Sequence, residues 1–316
     1  MKRHKRTWMI ALVVLAVFGL CGVCGIAALL GTQRGSTVSW GSQGVAIIPI
    51  TGTILAGGGG WPLLPTRSLA YSDRIVQDIR RAEEDPAVAA IVLEINSPGG
   101  SVVGSVDIYN AVRAAHKPVV ASIGEMGASG GYYIACGADR IVVRPGSITG
   151  SVGVIMEMLD ASRLAAKLGV TLEVIKTGPY KDQGSWHRPL TEEERALLQG
   201  MLDEAYEDFI HAVAEGRGLA EDQVRAVADG RILSGRQAVR LGLADREGDL
   251  QEAISLAAEL AGLTGVPREI RYEAQPSFLQ LLLGSLAQGR ESDLAILREI
   301  LLAGRSPAMQ YLYTAP

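Results

Sequence analysis

The chain has 316 residues, 48% of them hydrophobic and 20% charged, which is enough to bury a sizeable core in one large domain or two small ones. Its 30 Lys and Arg residues are outnumbered by 34 Asp and Glu residues, for a net charge of −4, and no basic block follows the first seven positions. This balance argues against nucleic acid as a partner.

The N-terminal segment predicts a membrane anchor. Residues 1–7 carry four basic side chains, and residues 8–30 contain no charged side chain. As a helix that rises about 1.5 Å per residue, the second stretch would reach about 35 Å, enough to cross a hydrocarbon core of about 30 Å. Since the basic residues precede the span, we expect the N-terminus in the cytoplasm and the rest of the chain outside it. The competing interpretation is a cleaved signal peptide, whose apolar core is usually about 7 to 15 residues long.

Residues 44–178 predict an α/β domain with largely parallel strands, because short β-branched apolar runs alternate with helical patterns. The first helix has an N-cap candidate in Ser72 or Asp73. The predicted strands are residues 44–54, 89–96, 118–123, 140–143 and 170–178, and the predicted helices are residues 72–85, 105–116 and 129–138.

The last third of the chain is mostly helical by pattern. Thr191 is followed three residues later by Glu194, which predicts a capping box at the start of a long helix. Two shorter helices are expected after it. An apolar stretch then leads to the C-terminal "SPAMQYLYTAP", residues 306–316.

Two glycine-containing turns carry the chemistry. "NSPGG" at 96–100 lies between a predicted strand and a predicted helix, so the N–H groups of Gly99 and Gly100 can face a cavity with no side chain in the way. The second turn places Ser129 at the start of a helix, where amides are unpaired and the helix dipole favours negative charge. Two converging N–H donors beside a serine hydroxyl suit acyl transfer, in which one donor contributes about 2.7 to 4 kcal/mol. The alternative is that Ser129 only caps the helix.

A serine nucleophile needs a base, and no histidine is clearly placed to act as one. His116 and His211 follow sequence patterns typical of surface or packing residues. His187 lies in a loop and is a weak candidate for the base. Lys176 and Lys181 lie in the loop "KTGPYKDQGSW". A lysine can act as base when burial lowers its pKa, as in the Ser-Lys variant of the catalytic triad. Spacing alone does not choose between the two lysines.

Four separated motifs, "NSPGG", "MGASGGYYIA", "SITGSVGV" and "TGPYKD", occur in the order and spacing of the bacterial signal peptide peptidase A family, or protease IV group. The later "GRILSGRQAVRLGLAD" agrees as well. The chain resembles the short, single-module form over about residues 44–265. The resemblance implies an α/β fold of the Clp/crotonase-like type with stacked parallel strands and helices, preceded by one transmembrane helix and followed by a helical C-terminal part. It also implies a Ser-Lys dyad serine endopeptidase that needs no cofactor or metal.

The resemblance implies a role for each matching residue. Ser129 in "GASGG" matches the nucleophile, and Lys181 in "GPYKD" matches the general base. Ser151 in "TGSVGV" matches the serine that positions the lysine amine. Gly100 and the backbone of Gly130 match the oxyanion donors, with the neighbouring glycine of the first turn as the alternative to Gly100.

The partners implied are peptide substrates, namely remnant signal peptides and other unfolded apolar segments, and a membrane held through the N-terminal helix. Similar enzymes form homo-oligomers, in which the serine and lysine of one site can come from neighbouring subunits. The expected location is the bacterial inner membrane, with the catalytic domain on the extracytoplasmic side.

Two functions from other classes remain as alternatives: a non-catalytic membrane scaffold, and a crotonase-like acyl-coenzyme A enzyme, which would need an acidic pair near the amide donors. The C-terminal tail is either a disordered end or a segment that lies in the substrate groove or on a neighbouring subunit.

The expected organisation has five parts. They are a cytoplasmic basic segment (1–7), a transmembrane anchor (8–30), a linker (31–43), the peptidase domain (44–265) and a helical or extended tail (266–316).

Overall fold

The computed structural model describes residues 43–57, 69–272 and 309–312. The predicted anchor, nearly all of the predicted linker and most of the predicted tail lie outside these ranges. Within the described ranges, no helix combines the length and the apolar character that crossing a membrane requires.

Strands and helices alternate along the described chain, as the sequence pattern predicted for an α/β domain. The strands are β1 (Gly44–Thr51), β2 (Thr53–Leu55), β3 (Leu69–Tyr71), β4 (Val88–Ser97), β5 (Gly99–Ser101), β6 (Val119–Ala128), β7 (Arg140–Val143), β8 (Ile148–Gly150), β9 (Ile232–Ser234), β10 (Arg246–Glu247), β11 (Arg268–Arg271) and β12 (Gln310–Leu312). The helices are α1 (Ser72–Glu84), α2 (Val102–Arg113), α3 (Gly130–Ala135), α4 (Ser162–Lys167), α5 (Glu192–Arg217), α6 (Glu221–Arg225), α7 (Gly235–Arg240) and α8 (Leu250–Leu260).

The main sheet is largely parallel, which confirms the predicted pairing. Its strands follow the order β10-β7-β6-β4-β1-β11, and neighbours on this path run parallel. β8 pairs in parallel with the end of β6, and β9 pairs antiparallel with β8. Because Ser97 pairs with Gly127 and Ala128 pairs with Gly150, the carboxyl ends of β4, β6 and β8 lie side by side. A smaller sheet, β12-β5-β2-β3, continues from the end of β4.

The main sheet is buried on both faces. Ile91 and Leu93 of β4 belong to a large apolar cluster that also includes residues of α1, α2, α3 and α5. Ala90 and Val92 of the same strand face the other way and belong to a second cluster with α8. Burial of both faces is usual for parallel sheets and explains the continuous apolar runs that predicted these strands.

The predicted strand at 170–178 was wrong. The structure forms no strand there, and the apolar side chains of Leu172 and Ile175 are 53% and 96% exposed. Apolar and β-branched residues favour a strand mainly when they can pair with a neighbouring strand and pack against a core. Within the described ranges, no strand pairs with residues 170–178. Residues 157–190, which join the β8 region to α5, form an exposed segment that we name the arm; it carries Lys181.

The two predicted helix starts had different outcomes. Ser72 or Asp73 was expected to cap α1, but α1 begins at Ser72, and Tyr71 in the N-cap position makes no capping bond. The capping box of α5 is confirmed, because Thr191 Oγ1 accepts from the Glu194 N–H at 3.2 Å and Glu194 Oε2 accepts from the Thr191 N–H at 3.0 Å.

Strands also occur in the segment that was expected to be a helical or extended tail. β11 pairs in parallel with β1, with Arg268 beside Gly44, and forms one edge of the main sheet. β12 pairs antiparallel with β5. The structure therefore joins both tail segments to the sheets of the preceding residues.

Candidate functional site

Ser129 lies between β6 and α3, at the carboxyl edge of the main sheet. It is 1% exposed, its N–H donates to the Gly150 carbonyl at 2.8 Å, and its φ is +53°. Although it occupies the N-cap position of α3, its side chain makes no capping hydrogen bond. Helix capping therefore does not explain this serine, and its conformation costs roughly 1–3 kcal/mol that the surrounding structure must offset.

Ser151 follows β8 and has a similar backbone conformation. Its φ is +51°, it is 8% exposed, and its N–H donates to the Arg231 carbonyl at 2.9 Å. Since Ala128 pairs with Gly150, Ser129 and Ser151 follow adjacent positions of two parallel strands. Among the described non-glycine residues, these two serines alone have a positive φ. Such strained residues cluster at functional sites.

The turn between β4 and β5 lies beside the start of α3. Gly99 has a φ of +98°, and a Cβ on it would come within 2.6 Å of the Gly130 nitrogen. The Gly99 N–H donates to Ser97 Oγ at 3.1 Å, and that hydroxyl donates to the Gly52 carbonyl at 2.7 Å. A Cβ on Gly100 would collide with the backbone of β2. The backbone segments at this turn therefore lie closer together than they could if Gly99 or Gly100 carried a side chain.

The C-terminal strand β12 runs along this turn. Tyr311 pairs with Gly100 on one side, and Gln310 exchanges two backbone hydrogen bonds of 3.0 Å with Ile155 on the other. The Tyr311 carbonyl oxygen lies against the turn, 3.1 Å from where a Cβ on Gly130 would be. An extended segment of the tail thus lies beside the predicted oxyanion donors.

The structure does not bring Lys181 to the two serines. Lys181 is exposed on the arm, its N–H donates to the Gly178 carbonyl at 3.4 Å, and its amine has no hydrogen bond or ion pair with any described residue. The Lys176 amine is engaged, because it donates to the Pro179 carbonyl at 2.9 Å and to Asp182 Oδ1 at 2.7 Å. The arrangement therefore supplies a serine and amide donors in one place and the candidate lysine in another.

The three described histidines have other neighbours. His116 and His211 are exposed and lie 3.2 Å and 3.6 Å from the carboxylates of Glu83 and Glu221, which confirms their predicted surface role. The ring of His187 packs edge-on against the Trp side chain that precedes it. Within the described ranges, no group of three or more His, Cys, Asp or Glu residues is arranged to hold a metal ion.

An ionic network that sequence reasoning missed supports the loop that carries Lys181. Arg188 donates to the two oxygens of Asp182 at 2.6 Å and 3.1 Å and to Glu194 Oε2 at 2.8 Å. These hydrogen bonds from Arg188 lower the pKa of Asp182 and lower the pKa of Glu194 to about 2. The only sequence signal is the alternation of charge at six-residue intervals, which does not by itself indicate contact.

Two family models match the chain. The model described as Peptidase family S49 matches residues 111–264, and the model described as Clp protease matches residues 67–146. A Synechocystis sp. protein named "Putative protease" is 42% identical over 221 residues, which cover 69% of this chain and 75% of that protein.

Two further relatives are longer than this chain. Protease 4 of Salmonella typhi is 36% identical over 217 residues, and "Serine protease SPPA, chloroplastic" of Arabidopsis thaliana is 34% identical over 226 residues. The matches cover 68% and 71% of this chain but 35% and 33% of the two relatives. The chain therefore spans about a third of the length of each.

Proposed function

Because the chain belongs to peptidase family S49, we propose that it is a membrane-anchored serine endopeptidase with Ser129 as nucleophile and Lys181 as general base. The observation that carries the proposal is the state of Ser129, a buried serine with a φ of +53° whose hydroxyl does not cap the helix it precedes. The parallel sheet and the match to the Clp protease model support a Clp-like fold for the domain around it.

The proposed reaction is the hydrolysis of a peptide bond in two steps. The Lys181 amine takes the proton of Ser129 as the serine oxygen attacks the carbonyl carbon, and the resulting ammonium gives a proton to the leaving amine. A water molecule then releases the acyl group from Ser129 in the same manner. Ser151, at the end of the neighbouring strand, holds the lysine amine in position.

The amides of Gly100 and Gly130 stabilise the negative charge that develops on the carbonyl oxygen. Gly100 is favoured over Gly99 because the Gly99 N–H already donates to Ser97 Oγ. The Gly130 amide belongs to the first turn of α3, where N–H groups have no partner within the helix.

Lys181 reaches Ser129 from a second copy of the chain. The arm that carries Lys181 exposes large apolar side chains, among them Leu159 at 73% and Leu168 at 69%. Its apolar run at 170–175 has no strand partner among the residues that the structure describes. An apolar segment of this kind gains stability when another surface covers it. A homo-oligomer in which each arm covers a neighbour would bury these side chains and supply the missing base, so a single subunit would be inactive.

The proposed substrates are remnant signal peptides and other unfolded apolar segments, bound in extended form. β12 supports this binding mode, because it pairs as an added strand between β5 and Ile155, beside the proposed oxyanion donors. The predicted anchor at residues 8–30 would hold the groove near the bacterial inner membrane, on its extracytoplasmic side.

The test compares hydrolysis of an apolar fluorogenic peptide by chains that lack residues 1–31. Ser129→Ala and Lys181→Ala are each expected to lower kcat by about 10⁴-fold or more, as for groups that act together in covalent catalysis. Lys167→Ala is the matched control, since Lys167 is also an exposed lysine of the arm and has no proposed role.

Oligomer size is measured for each variant by light scattering. Retained turnover in Ser129→Ala would refute the peptidase mechanism. Retained turnover in Lys181→Ala would refute only the choice of base, and Lys176 and His187 would then be substituted in turn. A chain that assembles but hydrolyses nothing would favour the scaffold alternative.

A further inference from the structure

Strand β6 contains a bulge shortly before the proposed nucleophile. Where β6 pairs with β4, Ile123 lies opposite Ile95. The next pair is Gly127 opposite Ser97, so three residues of β6, Gly124–Met126, lie opposite one residue of β4. Side chains alternate along a strand with a period of two, so a bulge that adds two residues leaves the facing of the later side chains unchanged. Bulges bend a strand and re-aim its side chains, often next to active sites.

β6 also changes its other neighbour at this bulge. Up to Ile123 it pairs with β7, and from Met126 onward it pairs with β8. A Cβ on Gly127 would come within 2.8 Å of the Ile123 side chain, whereas a Cβ on Gly124 would make only ordinary contacts. The bulge therefore brings its two flanking residues together and directs the end of β6 toward β8.

Side chains from two other segments hold the bulge. The Asn96 side chain, at the end of β4, accepts a hydrogen bond from the Met126 N–H at 3.1 Å. Ser147, just before β8, is buried, and its hydroxyl donates to the Gly124 carbonyl. Both ends of the bulge are therefore fixed by groups outside β6.

Thr149 fixes the strand immediately after the bulge. It is fully buried, and its hydroxyl donates to the Gly127 carbonyl at 2.7 Å. The two residues are paired across β6 and β8, two positions before Ser129 and Ser151 respectively. This bond therefore joins the two strands just before both serines that have a positive φ.

The conformation of Ser129 depends on contact between the same two strands. Its N–H donates to the carbonyl of Gly150, the residue after Thr149. If β8 separated from the end of β6, this bond would be lost and the serine could leave its strained φ of +53°. Removal of the Thr149 hydroxyl would take a donor from a buried carbonyl and so weaken the contact.

We propose that the bulge sets the position of Ser129 and that Ser147 and Thr149 are positioning residues that hold it. The use of that position in hydrolysis rests on the proposed function. The effect of the two hydroxyls on the backbone around Ser129 does not rest on it.

The first measurement is peptide hydrolysis by the full chain in detergent. Thr149→Val removes the hydroxyl but keeps the branched shape, and Thr149→Ser keeps the hydroxyl. For Thr149→Val we expect kcat to fall by about tenfold to 100-fold and KM to change by less than about twofold, because the nucleophile is displaced while substrate contacts remain. Thr149→Ser should retain most of the parent kcat.

The second measurement is amide hydrogen exchange, which does not depend on activity. In Thr149→Val, amides 127–129 should exchange about tenfold faster than in the parent, while amides 91–93 in the centre of β4 should not change. Ser147→Ala should accelerate exchange in the bulge and at the residues that follow it.

Lys117→Met is the matched control. The Lys117 amine donates to the carbonyls of Ala82 and Asp85 at 2.8 Å and 2.7 Å, next to the opposite end of β6. This variant also removes a side-chain donor from backbone carbonyls, and we expect no change in kcat or in the exchange of amides 127–129.

The outcomes separate this proposal from the proposed function. Exchange at 127–129 equal to that of the parent, or raised equally in β4, would overturn the positioning role, as would an unchanged kcat in an enzyme that hydrolyses the peptide. If the parent hydrolyses nothing while Thr149→Val still exchanges faster at 127–129, the proposed function fails and the positioning role stands. If Thr149→Val does not fold, Ser147→Ala decides the question by the same two measurements.

Discussion

At Gly99, a single added atom would change the shape of the site. Its φ of +98° is a conformation that residues with a side chain rarely adopt. A Cβ there would also meet the Tyr311 carbonyl oxygen and the Gly130 nitrogen. A side chain at position 99 would therefore disturb the backbone of the turn, strand β12 and the proposed donor amide of Gly130.

Gly99→Ala is expected to reduce peptide hydrolysis by about 100-fold, because the added methyl displaces reacting groups that must be held within a fraction of an ångström. The unfolding free energy should fall by about 1–3 kcal/mol, from the strained φ. Peptide kinetics and chemical denaturation measure the two effects. Gly124→Ala is the control, since a Cβ there would lie 3.5 Å from the Ile95 carbonyl oxygen, an ordinary contact distance. Comparable losses in both variants would contradict the role given to Gly99.

Ser151→Ala tests whether this serine positions the lysine amine. We expect kcat to fall by about tenfold to 100-fold with little change in KM, because the amine loses a hydrogen bond that aligns it but no substrate contact. Ser255→Ala on α8 is the control, because its hydroxyl donates to the Gln251 carbonyl of the same helix. An unchanged kcat in Ser151→Ala would contradict the positioning role.

At the scale of single residues, the sequence nominated candidates for the site but did not predict their backbone conformation. The motifs around Ser129 and Ser151 nominated both serines for the site. Nothing in the amino-acid sequence, however, indicates that both have a positive φ. The Ser97 hydroxyl is part of the "NSPGG" motif, yet its bond to the Gly99 amide depends on how the chain folds after the turn. That bond is what favours Gly100 as the donor, a choice that the sequence left open.

Among the elements, the start of α5 is linked most directly to Lys181. Asp182, the residue after Lys181, is tied through Arg188 to Glu194 in the first turn of α5. The Glu194 side chain is 2% exposed, so its ionised state depends on the guanidinium beside it. The network therefore connects the loop of the proposed base to a capped helix.

Arg188→Gln should lower kcat by about tenfold without changing KM, since Lys181 would be less firmly held. Arg188→Lys should restore only part of the loss, because one ammonium group cannot bind two carboxylates bidentately. Arg225→Gln is the control, because Arg225 of α6 pairs with Glu207 of α5 and both residues lie outside the arm. A loss of activity in Arg225→Gln equal to that in Arg188→Gln would indicate general destabilisation rather than positioning.

The same network predicts a dependence of stability on pH. The pKa of Glu194 is lowered from 4.5 to about 2 by the hydrogen bonds from Arg188. A carboxylate with a lowered folded-state pKa contributes stability that is fully present above its unfolded pKa and is lost as the pH falls toward 2. Melting temperatures measured from pH 6 to pH 2.5 should fall more steeply in the parent than in Arg188→Gln. Parallel curves would contradict the role of this ion pair.

The elements that the sequence predicted well are those whose partners are fixed within one chain. β4 and β6 are buried on both faces, so their apolar runs mark them, and Thr191 and Glu194 satisfy each other locally. The prediction of a strand at 170–178 failed for the opposite reason. Its apolar run resembles a strand, but the described residues of one chain provide no neighbour for it.

For the whole molecule, a site shared between subunits predicts complementation. Ser129→Ala and Lys181→Ala chains, each inactive alone, should regain about one quarter of the parent activity when mixed in equal amounts and reassembled, since each partner carries the needed residue in half of the copies. Activity of the mixture is compared with each variant treated identically. No recovery, with mixed oligomers verified by mass spectrometry, would contradict a shared site.

The surface proposed to hold the subunits together can be tested without changing the site. Ile175 is 96% exposed in one subunit, so Ile175→Asp should leave the fold intact but reduce oligomer size and activity together. Val266→Asp is the matched control, because Val266 is 93% exposed but lies outside the arm. Light scattering and peptide hydrolysis report the two effects, and an unchanged oligomer in Ile175→Asp would contradict the role of the arm.

The complete burial of α3 predicts that its backbone amides exchange slowly with solvent. All six residues of this helix are buried, whereas much of the arm is exposed to solvent. In amide hydrogen exchange, α3 should exchange only when the domain unfolds as a whole, while amides of the arm should exchange through small local openings. The proposed nucleophile is then expected beside a slowly exchanging helix, and the proposed base on a rapidly exchanging segment.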